Sequence, residues 1–286
     1  MHELGRQAGA RPRGEDSCPL IPADGGLMTY RLAGKGRPLV LLHGWATHGG
    51  FFAPQFADLA ASFQVLAPDL PGHGATPVPH PTVRHQADAL RALLNALDLR
   101  GAMLVGWSMG AMVAWRALLD GAGERVTGLV VVDMSPRLCN DTGWPWGLRG
   151  AVQARGPQAA RLLATDWAVF APRIARRIFA AGSLHTDLRR WVEGEVARCD
   201  AEAMAALWLD LLAQDFRADL GRLDLPTLIL RGGLSQLYPA GTADWLATAL
   251  PQARQVTFAA SGHAPHLEEP QRFNEIITGF AAGLPP

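Results

Sequence analysis

Residue Ser108 stands between two glycines at the spacing expected of a catalytic nucleophile. Residues 106–110 read Gly-Trp-Ser-Met-Gly, directly after an apolar run and directly before a helical pattern. In a G-x-S-x-G turn between a strand and a helix, the glycines allow a bend so tight that the serine hydroxyl projects away from the sheet. The following helix begins with unpaired N–H groups, which favour a developing negative charge. The motif therefore predicts a serine nucleophile for acyl transfer.

A serine nucleophile needs a general base, and His263 is the first candidate. It belongs to the segment Ser-Gly-His at residues 261–263, which follows the last apolar run of the chain. A loop at this point can bring His263 to Ser108. His266 is the second candidate, because it lies closer to the following helical pattern. We interpret His43 as a structural residue that bonds to the local backbone.

Acyl transfer also needs donors for the negative oxygen of the tetrahedral intermediate. The segment His43-Gly44-Trp45 follows an earlier apolar run, and Gly44 allows a close turn there. We expect the backbone N–H groups of Trp45 and Met109 to form a two-donor oxyanion hole. Each such donor typically stabilises the transition state by about 2.7–4 kcal/mol.

Short apolar runs alternate with amphipathic patterns through most of the chain. Strand-like runs occupy residues 27–32, 38–42, 64–67, 102–106, 129–132, 227–230 and 255–258, and helical patterns occupy residues 83–97, 109–119, 242–250 and 272–280. This alternation predicts an α/β fold with a mostly parallel central sheet flanked by helices. Ligands bind beyond the carboxyl ends of the strands in such sheets, where the motifs above are located.

One long interval breaks the alternation. Helical patterns without strand-like runs fill it, at residues 151–164, 167–180, 188–198 and 202–212. We expect a helical lid at residues 135–215, inserted after the sixth core strand and lying over the site. The predicted organisation is then a flexible tail at residues 1–22, a core at 23–134 and 216–286, and the lid.

Composition excludes several classes of protein. Apolar residues make up 49% of the 286 residues, and 26 basic residues balance 26 acidic ones. A zero net charge argues against a nucleic-acid-binding protein. The three cysteines are far apart, so neither a disulfide framework nor a metal site is expected, and no cofactor is implied. No apolar run reaches the roughly 18 residues of a membrane span, and no signal peptide is evident, so a cytoplasmic protein is expected.

Four segments together resemble the α/β-hydrolase superfamily: residues 41–45 (Leu-Leu-His-Gly-Trp), 69–74 (Asp-Leu-Pro-Gly-His-Gly), 106–110 (Gly-Trp-Ser-Met-Gly) and 261–265 (Ser-Gly-His-Ala-Pro). The resemblance covers residues 24–286. It implies the α/β-hydrolase fold and a cofactor-free serine hydrolase that cleaves carboxylic esters through an acyl-enzyme. The chain is also similar to small carboxylesterases, among them those that demethylate a pimeloyl carrier-protein ester.

The sequence departs from the family pattern at the third catalytic residue. The family usually places an aspartate in the loop after the next-to-last core strand, where this chain has Ser235. Asp133, at the end of the strand after the nucleophile strand, is an available substitute, because neighbouring strands lie only about 4.8 Å apart. Certain dehalogenases are similar in placing the acid there. We expect Asp133 to orient His263 and Ser235 to matter little.

Two alternatives to the triad stay open. One is a Ser108–His263 dyad, with Ser235 and water orienting His263. The other is a scaffold without activity, which would make the chain a non-catalytic ligand-binding module. Cofactor-free haloperoxidase or C–C hydrolase chemistry would use the same triad. Haloalkane dehalogenation needs a carboxylate nucleophile and is set aside, because the turn carries Ser108.

Tryptophans in and near the predicted lid suggest an apolar acyl pocket. We expect Trp45, Trp107, Trp144 and Trp146 to line it, and such walls suit a short or medium acyl chain or a hydrophobic ester, or an acyl thioester. A set of lid arginines also recurs at helical spacing, namely Arg173, Arg176, Arg177, Arg189 and Arg190. Such clusters are usually solvated faces. The sharper hypothesis is that this set docks an acidic acyl carrier protein.

Overall fold

A single twisted sheet of eight strands organises the computed structural model, which describes residues 20–23, 26–183 and 185–285. The strands are β1 Leu20–Ala23, β2 Gly26–Ala33, β3 Arg37–Leu42, β4 Phe63–Pro68, β5 Ala102–Trp107, β6 Val126–Val132, β7 Thr227–Gly232 and β8 Ala253–Phe258. Their order is β1-β2-β4-β3-β5-β6-β7-β8. Neighbouring strands from β4 to β8 in this order are parallel. Strand β2 pairs antiparallel with both of its neighbours, β1 and β4. The predicted mostly parallel sheet is confirmed.

Helices cover both faces of this sheet. They are α1 Ala53–Leu59, α2 Val83–Ala96, α3 Met109–Leu119, α4 Gly156–Thr165, α5 Trp167–Ile178, α6 Thr186–Ala197, α7 Ala201–Ala213, α8 Gly241–Ala249, α9 Pro265–Glu268 and α10 Pro270–Ala281. Along β3, Val40 and Leu42 join one buried cluster while Leu39 and Leu41 join the other. Two cores therefore sandwich the sheet, which explains why its central strands are continuous apolar runs.

The long interval between β6 and β7 is helical. It contains α4, α5, α6 and α7, close to the four patterns found in the sequence. Buried apolar residues of α5 and α6, including Trp167, Ile178 and Val192, belong to the same buried cluster as Trp107 of β5. The helical segment is therefore packed onto the sheet at the end that carries Ser108.

The amino-terminal boundary differs from the prediction. We expected a flexible tail over residues 1–22, but β1 begins at Leu20 and pairs with β2. Two apolar residues followed by a proline gave too short a signal to be read as a strand. The remainder of the predicted tail, residues 1–19, lies outside the described residues. No helix within the described ranges is long and apolar enough to cross a membrane.

Candidate active site

Sheet register places Ser108 beside Asp133. Trp107, the last residue of β5, pairs with Val132, the last residue of β6. The ladder continues one residue further, because the N–H of Ser108 donates to the Val132 carbonyl (2.9 Å) and the N–H of Asp133 donates to the Leu230 carbonyl (2.8 Å). Each of the two residues thus directly follows the carboxyl end of its own strand. Adjacent strands in one sheet therefore bring a hydroxyl and a carboxylate to the same edge.

Both residues have strained backbones. The φ angles of Ser108 and Asp133 are 53° and 46°, in the left-handed region that L residues rarely adopt. The bend at Ser108 depends on its flanking glycines. A Cβ on Gly106 would lie 2.5 Å from the Cα of Ala111, and one on Gly110 would overlap the Leu42 carbonyl. The sequence forms this turn because only glycine fits where β5, α3 and the end of β3 converge.

The imidazole of His263 meets the carboxylate of Asp133. Its Nδ1 lies 2.7 Å from Oδ2 of Asp133, and each side chain is only 4% exposed. A contact this short between an imidazole and a carboxylate fixes the ring and favours the tautomer with the proton on Nδ1. The other ring nitrogen, Nε2, is then left to accept a proton.

A second hydroxyl reaches the same carboxylate. Oγ of Ser235, in the loop after β7, donates to Oδ2 of Asp133 at 2.6 Å. Oγ of Ser235 also accepts N–H groups of Leu237 (3.3 Å) and Tyr238 (3.4 Å). The sequence led us to expect that Ser235 would matter little. This contact was missed because it depends on the conformation of the loop after β7, which no local pattern of the sequence reports.

The backbone around His263 is held from three sides. The indole Nε1 of Trp107 donates to the carbonyl of His263 (2.9 Å), and the N–H of His263 donates to the Ile178 carbonyl at the end of α5 (2.9 Å). The carboxylate of Glu268 accepts the N–H of Gly262 (2.6 Å) and the N–H of Ala180 (2.9 Å). Burial raises the pKa of Glu268, and these two N–H groups oppose that rise. Residues 259–264, here called the histidine loop, are therefore bound to the helical segment.

Replacing Glu268 by glutamine is expected to loosen this loop. The carboxylate accepts one N–H group with each of its two oxygens, whereas the glutamine amide has only one acceptor oxygen. Its NH₂ group would therefore face the N–H of Gly262 or of Ala180 without forming a hydrogen bond. A buried donor left unsatisfied costs about 1–3 kcal/mol. We expect a lower midpoint of urea unfolding at pH 7 for Glu268→Gln. The matched control is Glu275→Gln, at an exposed position of α10, which should unfold like the unmodified protein. Equal midpoints for both variants would contradict a stabilising role for the two hydrogen bonds that Glu268 accepts.

The loop after β3 lies against the turn at Ser108. A Cβ on Gly44 would lie 3.3 Å from Cβ of Ser108, so this glycine permits the close approach of the loop to the serine. His43 acts through the backbone, with Nδ1 2.8 Å from the Gly44 carbonyl and Nε2 2.9 Å from the Leu70 N–H. Burial lowers the pKa of His43 to about 3, so its ring is neutral. These contacts agree with the structural role that we predicted for it.

His266, the second candidate base, lies in an apolar environment. Its ring packs on Phe52, Trp107 and Phe273. Neither of its ring nitrogens has a hydrogen-bond partner among the described residues. Burial lowers the pKa of His266 to about 3. The structure thus brings His263, and not His266, to Asp133.

Two of the four predicted pocket tryptophans lie at this site. Trp107 is buried beside His263, with ring centroids 5.5 Å apart. Trp45 extends towards the helical segment, where its indole Nε1 donates to the Met204 carbonyl of α7 (3.1 Å). Trp144 and Trp146 make contacts elsewhere: Trp144 packs on Trp245, and a Cβ on Gly241 would overlap the Trp146 ring. Both indoles are therefore packed against α8.

Tyr238 is a residue of the site that the sequence analysis missed. It is buried, its ring centroid lies 5.9 Å from that of His263, and its hydroxyl lies 3.1 Å from Sδ of Met134. Burial and the charge of Asp133 raise the pKa of Tyr238, while a hydrogen bond with Ser108 opposes the rise. The available signal was its position after the carboxyl end of β7, in a chain with only two tyrosines.

Across the residues that the structure describes, no cluster of three or more His, Cys, Asp or Glu side chains is arranged to hold a metal ion. The chemistry that the arrangement can perform is that of a hydroxyl, an imidazole and a carboxylate at one edge of the sheet.

Comparisons with known proteins agree with the fold. A family model described as the α/β hydrolase fold matches residues 37–270. The chain is 36% identical over 247 residues to a pimeloyl-[acyl-carrier protein] methyl ester esterase of Chromobacterium violaceum, covering 84% of this chain and 92% of that protein. It is 33% identical over 244 residues to a protein of the same name from Nitrosomonas europaea, covering 84% and 94%.

A solved structure shares the architecture at lower identity. An esterase from Exiguobacterium antarcticum superposes with a TM-score of 0.86 over 92% of this chain and 99% of that one, at 22% sequence identity. This likeness concerns the fold alone.

Proposed function

The chain belongs to the α/β-hydrolase family, and on that premise we propose that it hydrolyses carboxylic esters through an acyl-enzyme. The observation that carries the proposal is the 2.7 Å contact between His263 and Asp133, both shielded from solvent, at the sheet edge where Ser108 follows β5. Relatives at 33–36% identity that are named as methyl ester esterases support the same reaction class.

In the first half of the reaction, Oγ of Ser108 attacks the ester carbonyl carbon while Nε2 of His263 takes its proton. The carbonyl oxygen becomes an anion, which accepts hydrogen bonds from the backbone N–H groups of Trp45 and Met109. The tetrahedral intermediate collapses, the bond to the alcohol oxygen breaks, and His263 returns the proton to the leaving alcohol. An acyl group is then left on Ser108.

The second half repeats these steps with water. His263 removes a proton from a water molecule, whose oxygen attacks the acyl carbon, and the bond to Oγ of Ser108 breaks as that oxygen regains the proton. Asp133 stabilises the imidazolium that forms in each half and keeps the Nδ1 proton in place. The third member of the proposed triad, Asp133, thus follows the end of β6.

Residues 135–215 act as the lid in this proposal. Two hydrogen bonds support this role: Trp45 donates to α7, and the N–H of His263 donates to the end of α5. Trp45 packs on Trp167 and Trp208, with centroids 5.8 and 5.3 Å apart. Apolar walls of this kind suit an ester with a short or medium acyl chain.

We propose that the acyl group of the substrate is carried by an acyl carrier protein, which docks on the lid. The relatives named above carry this partner in their names. Of the lid arginines, Arg190 pairs with Asp187, whereas Arg173 lies over the Phe170 ring. The other three donate to backbone carbonyls: Arg176 to Pro172, Arg177 to Gln236 and Arg189 to Ser183. Of the five arginines, only Arg190 is paired with a carboxylate in these contacts. The positive charges of the other four suit an acidic partner surface.

Labelling followed by a substrate series tests the function. A fluorophosphonate probe should modify Ser108, located by mass spectrometry of the digested protein. Hydrolysis of p-nitrophenyl esters should then depend on acyl length, with a preference for short or medium chains, and a dicarboxylate methyl ester should be compared free and on a carrier protein. A folded protein that neither reacts with the probe nor hydrolyses any ester of the series would favour a ligand-binding module instead.

A further inference from the structure

We propose that Ser235 is a positioning residue for the catalytic acid, holding the carboxylate of Asp133 in the orientation that serves His263. This inference rests on the proposed function, since it assigns Ser235 a task in the same reaction. The juxtaposition that carries it is a single carboxylate oxygen, Oδ2 of Asp133, which meets Oγ of Ser235 at 2.6 Å and Nδ1 of His263 at 2.7 Å.

The surroundings of Ser235 determine where its proton goes. Its Oγ already receives the N–H groups of Leu237 and Tyr238, at 3.3 and 3.4 Å. These two contacts use the acceptor side of the hydroxyl, so its one proton is directed to Asp133. A hydrogen bond from a neutral hydroxyl to a carboxylate is shorter and stronger than one between neutral groups.

The loop that carries Ser235 is itself fixed to the histidine loop. The N–H of Gly233 donates to the Phe258 carbonyl (2.7 Å), and that of Leu234 donates to the Ser261 carbonyl (2.9 Å). A Cβ on Gly232 would overlap the Gly262 carbonyl, so the two loops are in direct contact. Ser235 therefore has a fixed position relative to His263, which is what a positioning group needs.

Asp133 needs such a partner because its backbone fixes only the direction of Cβ. Its N–H is bound to Leu230 and its φ is 46°, which sets the direction of Cβ but leaves the carboxylate free to rotate about χ1 and χ2. Two donors on Oδ2 stop that rotation. Without Ser235, the contact with His263 would have to orient the carboxylate and the imidazole at once.

A purely structural role for Ser235 would have different consequences. If the hydroxyl served only to cap its own loop through Leu237 and Tyr238, its loss would lower stability or disturb the pocket. If it positions Asp133, its loss lowers kcat at nearly unchanged KM, because the effect falls on the imidazolium in the transition state.

Kinetics of two variants separate these roles. We expect Ser235→Ala to reduce kcat for a p-nitrophenyl ester by about tenfold with KM within twofold, as expected for a lost hydrogen bond to a charged group. Ser235→Thr, which keeps the hydroxyl, should recover most of that loss. Ser62→Ala, at an exposed position away from the site, is the matched control and should behave like the unmodified protein. An unchanged kcat for Ser235→Ala, or a change confined to KM, would overturn the inference.

A spectroscopic readout keeps this test independent of turnover. The Nδ1 proton of His263 should give a low-field proton resonance, which Asp133→Asn removes and Ser235→Ala shifts or broadens. A resonance that Ser235→Ala leaves unmoved would overturn the inference even in an active esterase. A shifted resonance in a protein that hydrolyses no ester would support the positioning role while the proposed function fails.

Discussion

Ser108→Ala is expected to abolish ester hydrolysis, lowering kcat by about 10⁶-fold, the size of loss seen when the nucleophile of a triad is removed. Alanine has no oxygen to attack the carbonyl, and the remaining groups have no covalent intermediate to form. The fold should survive, because Ser108 is a small residue whose side chain makes no capping hydrogen bond to α3. The measurement is turnover of a p-nitrophenyl ester, with far-ultraviolet circular dichroism to verify folding.

Probe labelling gives the second readout for this variant. The fluorophosphonate adduct should disappear from Ser108→Ala. Full turnover in a folded Ser108→Ala protein would refute the assignment of the nucleophile, whatever the behaviour of the other variants. Loss of turnover together with loss of structure would instead be a folding effect, which the dichroism spectrum identifies.

Asp133→Asn is expected to lower kcat by about 10⁴-fold, as in related triads. The asparagine amide can present its NH₂ group to Nδ1, which favours the wrong tautomer of His263 and leaves the imidazolium without a counter-charge. Asp98→Asn is the matched control. Asp98 also has a positive φ, of 43°, but it lies in an exposed turn where it pairs with Arg100 and Arg125. Kinetics of both variants on one ester measure the difference.

Retention of turnover within about tenfold in Asp133→Asn would contradict the relocated acid. That result would favour the dyad of Ser108 and His263 as the working machinery. Because the control replaces another aspartate of similar backbone conformation, a loss shared by both variants would show a general effect of the substitution rather than a catalytic one.

The architecture could be predicted from the sequence because its signals are local. A central strand such as β3 is a continuous apolar run, and the glycines around Ser108 impose their turn wherever the chain continues. The prediction of an α/β-hydrolase fold is confirmed, as is membership of a family that contains carboxylic ester hydrolases. The strand β1 was missed, since four residues carry too little pattern.

The site could be predicted only as far as strand order determines it. Ser108 and Asp133 directly follow the neighbouring strands β5 and β6, so their proximity follows from sheet topology. The contacts of Ser235 with Asp133 and of Glu268 with Ala180 depend on the conformation of irregular segments, and no local pattern in the sequence reports them. The catalytic roles, the oxyanion hole and the lid stay predictions.

The placement of Trp144 and Trp146 shows a further limit. Both lie in the irregular segment between β6 and α4, where composition indicates burial but not the partner. An apolar side chain in a long loop can pack against the nearest helix or against a substrate, and the two cases have the same sequence signature. Their contacts with α8 leave the predicted pocket role without support from a neighbouring catalytic group.

The attachment of His263 to the end of α5 has a consequence for protein engineering. Residues Ile178 and Ala180 bind the histidine loop directly or through Glu268, so this end of the helical segment helps to fix the position of the proposed base. Attempts to broaden substrate range by grafting loops or shuffling helices should therefore preserve the junction at residues 178–180. Libraries that vary the outer faces of α6 and α7 would explore new specificities while leaving the position of His263 relative to Ser108 unchanged.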